Sequence, residues 1–172
     1  MNTYRRSRAP DLKSTVVTFI QLVDREQLLG YVLVRNTQTY PKSRAFYKLP
    51  GGSRKEDESI FEAAYWECFE ECGIDLRASL NTLRYRQYMP AGHYTKHLFV
   101  ARIDTNQAMS LYNPERNTSV LKPRGNQGEY GYILSPVELL MQITYGGVLH
   151  THADMLSAAG LLENIRNGVL VE

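Results

Sequence analysis

The chain has 172 residues, 43% of them apolar and 22% charged, which is enough for one sizeable core and predicts a single domain. Twenty Lys and Arg against 18 Asp and Glu leave a formal charge of +2, so composition gives no bulk attraction to nucleic acid or membranes, and an anionic ligand has to be captured by local groups. No run of about 18 apolar residues occurs, and residues 1–13 contain no apolar stretch, which argues against a membrane span or secretory signal and sets the expectation of a cytoplasmic protein.

Residues 1–13, with Arg5, Arg6 and Arg8, read as a flexible N-terminal arm ahead of one domain over 14–172. Thr15–Val23 and Leu28–Val34 are β-branched and apolar on both faces and flank the polar turn Asp24-Arg25-Glu26, which predicts two paired, buried strands. Arg35–Arg44 is polar and contains Pro41, so it reads as a loop. A short strand over Ala45–Leu49 is expected to stop at Pro50-Gly51-Gly52. Ser59-Ile60-Phe61-Glu62 has the form of a capping box, predicting a helix over Ile60–Cys72 closed by Gly73. At about 100° per residue, Phe61, Tyr65, Cys68 and Cys72 form an apolar stripe expected to face the core, while Glu67, Glu70 and Glu71 fall on another face.

Beyond this helix, Leu83–Tyr88 and Lys96–Ile103 read as strands joined through Met89–His93. Asn113–Gly128 is a long polar loop, Glu129–Leu134 a short strand, and Ser135-Pro136-Val137-Glu138 the start of a helix with Pro at its first position. A last helix is expected from His152 to Arg166, with Met155, Ala159, Leu162 and Ile165 on one face. Strands and helices mixed with hairpins indicate an α+β fold, not a doubly wound parallel sheet. The two cysteines, Cys68 and Cys72, make neither a disulfide framework nor a complete zinc site and read as buried apolar residues.

Three glutamates at i, i+3 and i+4 repel one another, at about 0.2–0.5 kcal/mol per pair in an isolated helix. A hard divalent cation offsets this well, because Mg²⁺ takes carboxylate oxygens together with waters and substrate phosphates. A solvated acidic face is the plain alternative. The surrounding residues favour the cation. Leu49-Pro50-Gly51-Gly52 is followed by Glu58, then Glu67-Cys68, Glu70-Glu71 and Gly73-Ile74. This series closely resembles the Nudix box, whose pattern is Gly, five residues, Glu, seven residues, Arg-Glu, an apolar residue, any residue, Glu-Glu, any residue, Gly and an apolar residue. All of those positions are filled in register from Gly52 to Ile74 except the arginine, where Trp66 stands.

The resemblance implies a Nudix-like α/β/α sandwich with a mixed sheet, and an Mg²⁺- or Mn²⁺-dependent pyrophosphohydrolase. Its substrate would be a small molecule, a nucleoside diphosphate linked to another moiety. By carry-over, Glu70 and Glu71 are metal ligands and Glu67 a third ligand or the general base, with the Gly51 carbonyl as a further ligand. Gly52, Glu58 and Gly73 become structural members of the box, and Glu70 and Glu67 count among the catalytic carboxylates. Relatives often add a glutamate from a late loop; Glu129 occupies the expected place, with Glu115 as the other candidate.

An indole has one donor and no charge, so Trp66 cannot brace the acidic cluster as the box arginine would. Three readings follow: another cation among Arg54, Lys55, Arg84 and Arg86 substitutes; the enzyme is active but slow; or the chain is a Nudix-fold binding or regulatory module. Retention of all four box glutamates argues against the last. Tyr47, Arg54, Tyr88, Lys122 and Arg124 are candidate substrate-binding residues, and Tyr85, Tyr94, Tyr130 and Tyr132 are further aromatics suited either to a base or to a strand. His93 with His97, and His150 with His152, lack the partners of a closed metal site. Near-neutral charge disfavours a nucleic-acid partner. Apolar Leu161 and Leu162 on the last helix suggest a homodimer.

Overall fold

The β-branched runs near the N-terminus form the middle of a mixed sheet. In a computed structural model describing residues 13–36, 46–77, 82–105, 120–121 and 129–172, β1 (Lys13–Asp24) pairs antiparallel with β2 (Gln27–Asn36) and parallel with β5 (Tyr94–Asp104). With β4 (Thr82–Ala91), β6 (Val120–Leu121) and β7 (Glu129–Leu134) the order is β4-β5-β1-β2-β7-β6, and β3 (Gly51–Ser53) pairs with the first half of β1. The two faces of β1 are covered by different helices. Val16, Ile20 and Leu22 pack under α1 (Ile60–Cys72), with Ala63, Ala64, Cys68 and Cys72. Val17 and Phe19 pack against residues of α2 (Pro136–Thr144), α3 (His150–Ala158) and α4 (Leu162–Asn167). This alternation places α1 and the C-terminal helices on opposite faces, giving the expected α/β/α sandwich. Buried Gln21 accepts the Val171 N–H at 2.7 Å and donates to the Val171 carbonyl at 3.1 Å, tying the C-terminal segment to β1. Among the described residues no helix is long and apolar enough to cross a membrane.

Several expectations are corrected. The strand expected over Ala45–Leu49 is reduced to isolated bridges, Val34 to Lys48 and Tyr47 to Val148, among the described residues. The regular strand lies instead at the glycines thought to stop it, because a residue without a side chain lets β3 approach β1 closely. Phe61 is 41% exposed and meets Phe99 edge-on at 4.9 Å. The small residues Ala63, Ala64 and Cys68 seat the helix on the sheet, and Phe61 stands at its flank. Met89 and Pro90 lie within β4, and only Gly92-His93 form the turn; a proline is tolerated there because β4 is an edge strand.

The single helix expected over His152–Arg166 is two helices, α3 and α4, separated at Gly160, whose φ of +74° suits a residue without a side chain. Apolar periodicity continues across the break because both pieces face one core, with Met155, Ala159, Leu161 and Ile165 all buried in it. Leu161 is fully buried and Leu162 packs on the same cluster, so the apolar area that suggested a homodimer is used within the chain. Within the Asn113–Gly128 stretch, Val120–Leu121 forms β6; Glu115, Lys122 and Arg124 lie outside the described residues, as does the arm apart from Lys13. Cys68 and Cys72 are buried and joined in no disulfide, and burial pushes the Cys68 thiol up, keeping it protonated.

Candidate active site

Local chemistry fixes the ends of α1. Ser59 Oγ accepts the Glu62 N–H at 3.0 Å while Glu62 Oε1 accepts the Ser59 N–H at 2.7 Å, and Gly73 ends the helix in the left-handed region at φ 73°. Ahead of it, Glu58 Oε1 accepts the Lys55 N–H at 2.8 Å, closing the turn between β3 and α1. The glutamates follow from this phasing. Glu71 is only 3% exposed, and its Oε1 accepts the Gly51 N–H at 2.9 Å. The Glu67 carboxylate lies over Gly52, so close that a Cβ built on that glycine would land on it. Glu70, half-buried, lies about one turn beyond Glu67 on the same helix.

The two glycines answer to different neighbours. A Cβ on Gly51 would strike the Val16 carbonyl and stand 2.8 Å from Val17 Cγ1, so Gly51→Ala forces β3 off β1 and is expected to cost about 3 kcal/mol of stability. The nearest neighbours of a Cβ on Gly52 are all at the flexible end of Glu67. Gly52→Ala is therefore expected to keep stability within about 1 kcal/mol while displacing that carboxylate and lowering turnover at least about tenfold. Denaturant unfolding measured beside hydrolysis rates checks both, and the opposite pattern would contradict this placement.

Carboxylates and a glycine backbone form a hard oxygen donor set. Among the described residues no three His, Cys, Asp or Glu side chains stand as a ready-made ligand cluster. A hard divalent cation fits such a partial set, because one or two carboxylates can bind it and waters complete its shell.

Trp66 turns away from this edge. It is 50% exposed, meets Phe69 edge-on at 6.3 Å, and lines a cavity of about 270 Å³ with Glu62, Tyr65, Phe69, Asp75 and Arg77; none of Glu67, Glu70 and Glu71 lines it. Three of the four cations proposed to substitute for the missing arginine make identified contacts. Arg54 donates to the carbonyls of Lys55 and Glu58, at 3.1 and 2.8 Å, and so holds the turn into α1. Arg86 donates to the Ala159 carbonyl at 2.8 Å, on the face of the C-terminal helices. Arg84, opposite Val100 in register, lines a surface hollow with Val171 and Glu172 on that same face.

The aromatic candidates divide between two places. Gly52, Val16, His97 and Tyr88 are neighbours in register across β3, β1, β5 and β4, with Ala63 and Ala64 packed on Val16. Tyr88, 61% exposed, thus stands on the β4 side of α1 and Glu67 on the β3 side. Beside Tyr88, the Tyr85 hydroxyl and His97 Nδ1 pair at 3.0 Å, and burial, with Arg54 second, holds the His97 pKa below its ordinary value. Tyr47 meets Tyr132 edge-on at 5.7 Å with Arg35 over its ring at 5.0 Å, next to the segment leading into the glycines. β7 begins at Glu129 opposite Asn36, two residues past the Val34–Lys48 bridge, which places its backbone at the β3 end of the sheet.

The role of one residue is not visible in the sequence. His152 is 6% exposed, and its Nδ1 accepts the Leu49 N–H at 2.9 Å. Burial first, then Lys96 and Lys48, pushes its pKa down to about 3. A contact between residues 103 apart leaves no local pattern by which it could have been found.

Comparison with known proteins adds the family. The NUDIX domain model matches residues 13–121. No curated protein matches the chain. Among solved structures, one from a study of MutT from the psychrophilic fish pathogen Aliivibrio salmonicida and the mesophile Vibrio cholerae superposes with a TM-score of 0.54 at 12% identity, covering 90% of this chain and 97% of that one. A mutT/nudix family protein from Listeria innocua gives 0.56 at 15% identity, covering 86% and 91%. Those similarities establish a shared fold. With the family model running through α1 and the glycine strand beside it, the chain belongs to the Nudix family and is a Nudix-type pyrophosphohydrolase.

Proposed function

We propose that the chain hydrolyses the pyrophosphate linkage of a nucleoside diphosphate joined to another moiety, with Mg²⁺ or Mn²⁺ as cofactor. Nucleotide sugars, ADP-ribose-like compounds, dinucleotides and nucleoside triphosphates all fall in this class. The observation that carries the reading is the seating of Glu71 on the Gly51 amide beside Glu67 over Gly52, where carboxylates from one helix meet a backbone bare of side chains. In this reading the Gly51 carbonyl, Glu67, Glu70 and Glu71 hold the cation. Glu67, Glu70 and Glu129 are the catalytic carboxylates, Glu67 serving as a third ligand or as the base that takes a proton from the attacking water. The bound cation supplies neutralisation of the pyrophosphate charge and a lowered pKa for water.

The remaining assignments follow from residue chemistry. Gly52, Glu58 and Gly73 are structural, giving close approach, a closed turn and a helix stop. Tyr47 and Tyr88 offer ring faces to a base, and Arg54, Lys122 and Arg124 offer charge to phosphates. Two buried cysteines joined in no disulfide suit the reducing cytoplasm. Trp66 in the arginine's place is the one observation favouring a second reading, a nucleotide-binding or regulatory module with little turnover.

Hydrolysis of a panel covering the four compound types, with Mg²⁺, with Mn²⁺ and with chelator, tests the proposal. Turnover of at least one compound that stops on chelation is expected. Nucleotide binding without turnover of any compound assigns the module instead.

A further inference from the structure

The approach to the glycine strand is held from both faces of the sheet. Up to Lys48 the backbone is bridged: Lys48 and Val34 exchange N–H···O bonds at 2.9 and 2.8 Å, and Tyr47 donates to Gly147 at 2.8 Å. From Gly51 it is held by β1 and by Glu71 of α1. Between these, Pro50 has no N–H to give, though its carbonyl accepts the Thr18 N–H at 2.9 Å. The buried Leu49 N–H is thus the one donor between the two supports, and its partner is a side chain of α3, His152 Nδ1 at 2.9 Å. We infer that His152 is a positioning residue, whose Nδ1 anchors Leu49 so that the Gly51 amide meets Glu71 and the Gly51–Gly52 backbone faces the α1 carboxylates. This rests on the role proposed above for Gly51, Glu67 and Glu71.

The chemistry of the ring makes the claim specific. To accept from Leu49, Nδ1 must offer its lone pair, so the neutral ring carries its proton on Nε2. What the segment requires is therefore an acceptor at the Nδ1 position. An asparagine oxygen reaches about that position, whereas a glutamine oxygen, one bond further out, reaches about that of Nε2.

His152→Asn and His152→Gln are both polar and smaller than or similar to histidine, and they separate this role from generic packing. Amide exchange resolved by NMR in the metal-free protein, together with kcat and KM, is the measurement. His152→Asn is expected to keep the protection of Leu49 and Gly51 and most of kcat. His152→Gln is expected to speed exchange at both amides and to lower kcat about ten- to hundredfold with KM nearly unchanged, the size typical of lost supporting contacts. Equal behaviour of the two variants overturns the inference, as does faster exchange at Leu49 alone with Gly51 and kcat unaltered. Should His152→Gln not fold, His152→Asn decides: retained Gly51 protection supports the role and lost protection overturns it. A wild-type protein that hydrolyses no panel compound brings down the proposed function, while exchange at Gly51 still decides whether His152 positions that backbone.

Discussion

Glu70→Gln and Glu71→Gln are each expected to lower divalent-metal-dependent hydrolysis by about 10²- to 10⁴-fold, with the fold retained. Glutamine keeps the volume of the side chain and one oxygen acceptor. At position 71 that oxygen can still take the Gly51 N–H, now at 2.9 Å from Glu71 Oε1, so the β3–α1 contact survives and stability stays within about 1 kcal/mol. What is removed is the negative charge, which is the property a hard cation requires of its ligand. Initial rates across a Mg²⁺ series, paired with thermal melts, separate loss of metal affinity from loss of structure. Either variant retaining turnover within tenfold of wild type at every Mg²⁺ concentration would remove that glutamate from the proposed ligand set. Because kcat effects of residues acting as one unit do not add, the double variant is expected to be little slower than the slower single one.

Much of α1 is legible in the sequence, for a physical reason. A capping box and a left-handed glycine are local devices, so Ser59, Glu62 and Gly73 mark the helix ends within the sequence itself, and the observed helix runs over the predicted residues. The paired strands β1 and β2 were legible because both faces are buried and the apolar runs are continuous. The rotation of α1 about its axis is legible for Tyr65, Cys68 and Cys72, which meet the core as expected, and not for Phe61. Which of Phe61 or Ala64 faces the sheet depends on how closely the helix sits, and that is set by side chains from β1 and β5. The break at Gly160 was hidden because the apolar pattern of two short helices facing one core imitates that of a single long one. At the site, helical spacing groups Glu67, Glu70 and Glu71, the resemblance to the Nudix box adds Gly51 and Gly52, and the structure brings Glu67 to Gly52 and Glu71 to Gly51. His152 and the destinations of Arg84 and Arg86 depend on long-range packing, which no short pattern encodes.

Buried His152 also sets an expectation for stability against pH. Its folded pKa is about 3, lowered by burial and by Lys96 and Lys48, against an ordinary value near 6.5 for the unfolded chain. Between these values the unfolded state binds a proton that the folded state does not, so unfolding free energy rises with pH in this window and falls as pH drops below about 6.5. The sign is that of a depressed base: the contribution is fully present above the unfolded pKa and is lost towards the folded one. From pH 7 to pH 5 the expected loss from this residue is about 2 kcal/mol, at 1.36 kcal/mol per pH unit once the unfolded histidine is protonated. Urea unfolding of wild type and His152→Asn at the two pH values isolates it, since asparagine does not titrate and other groups change alike in both. Wild type is expected to lose about 2 kcal/mol more than the variant. Equal losses would mean that a protonated ring is tolerated beside Leu49, Lys48 and Lys96. That outcome is hard to reconcile with a ring 6% exposed, whose Nδ1 must keep a lone pair free to accept the Leu49 N–H.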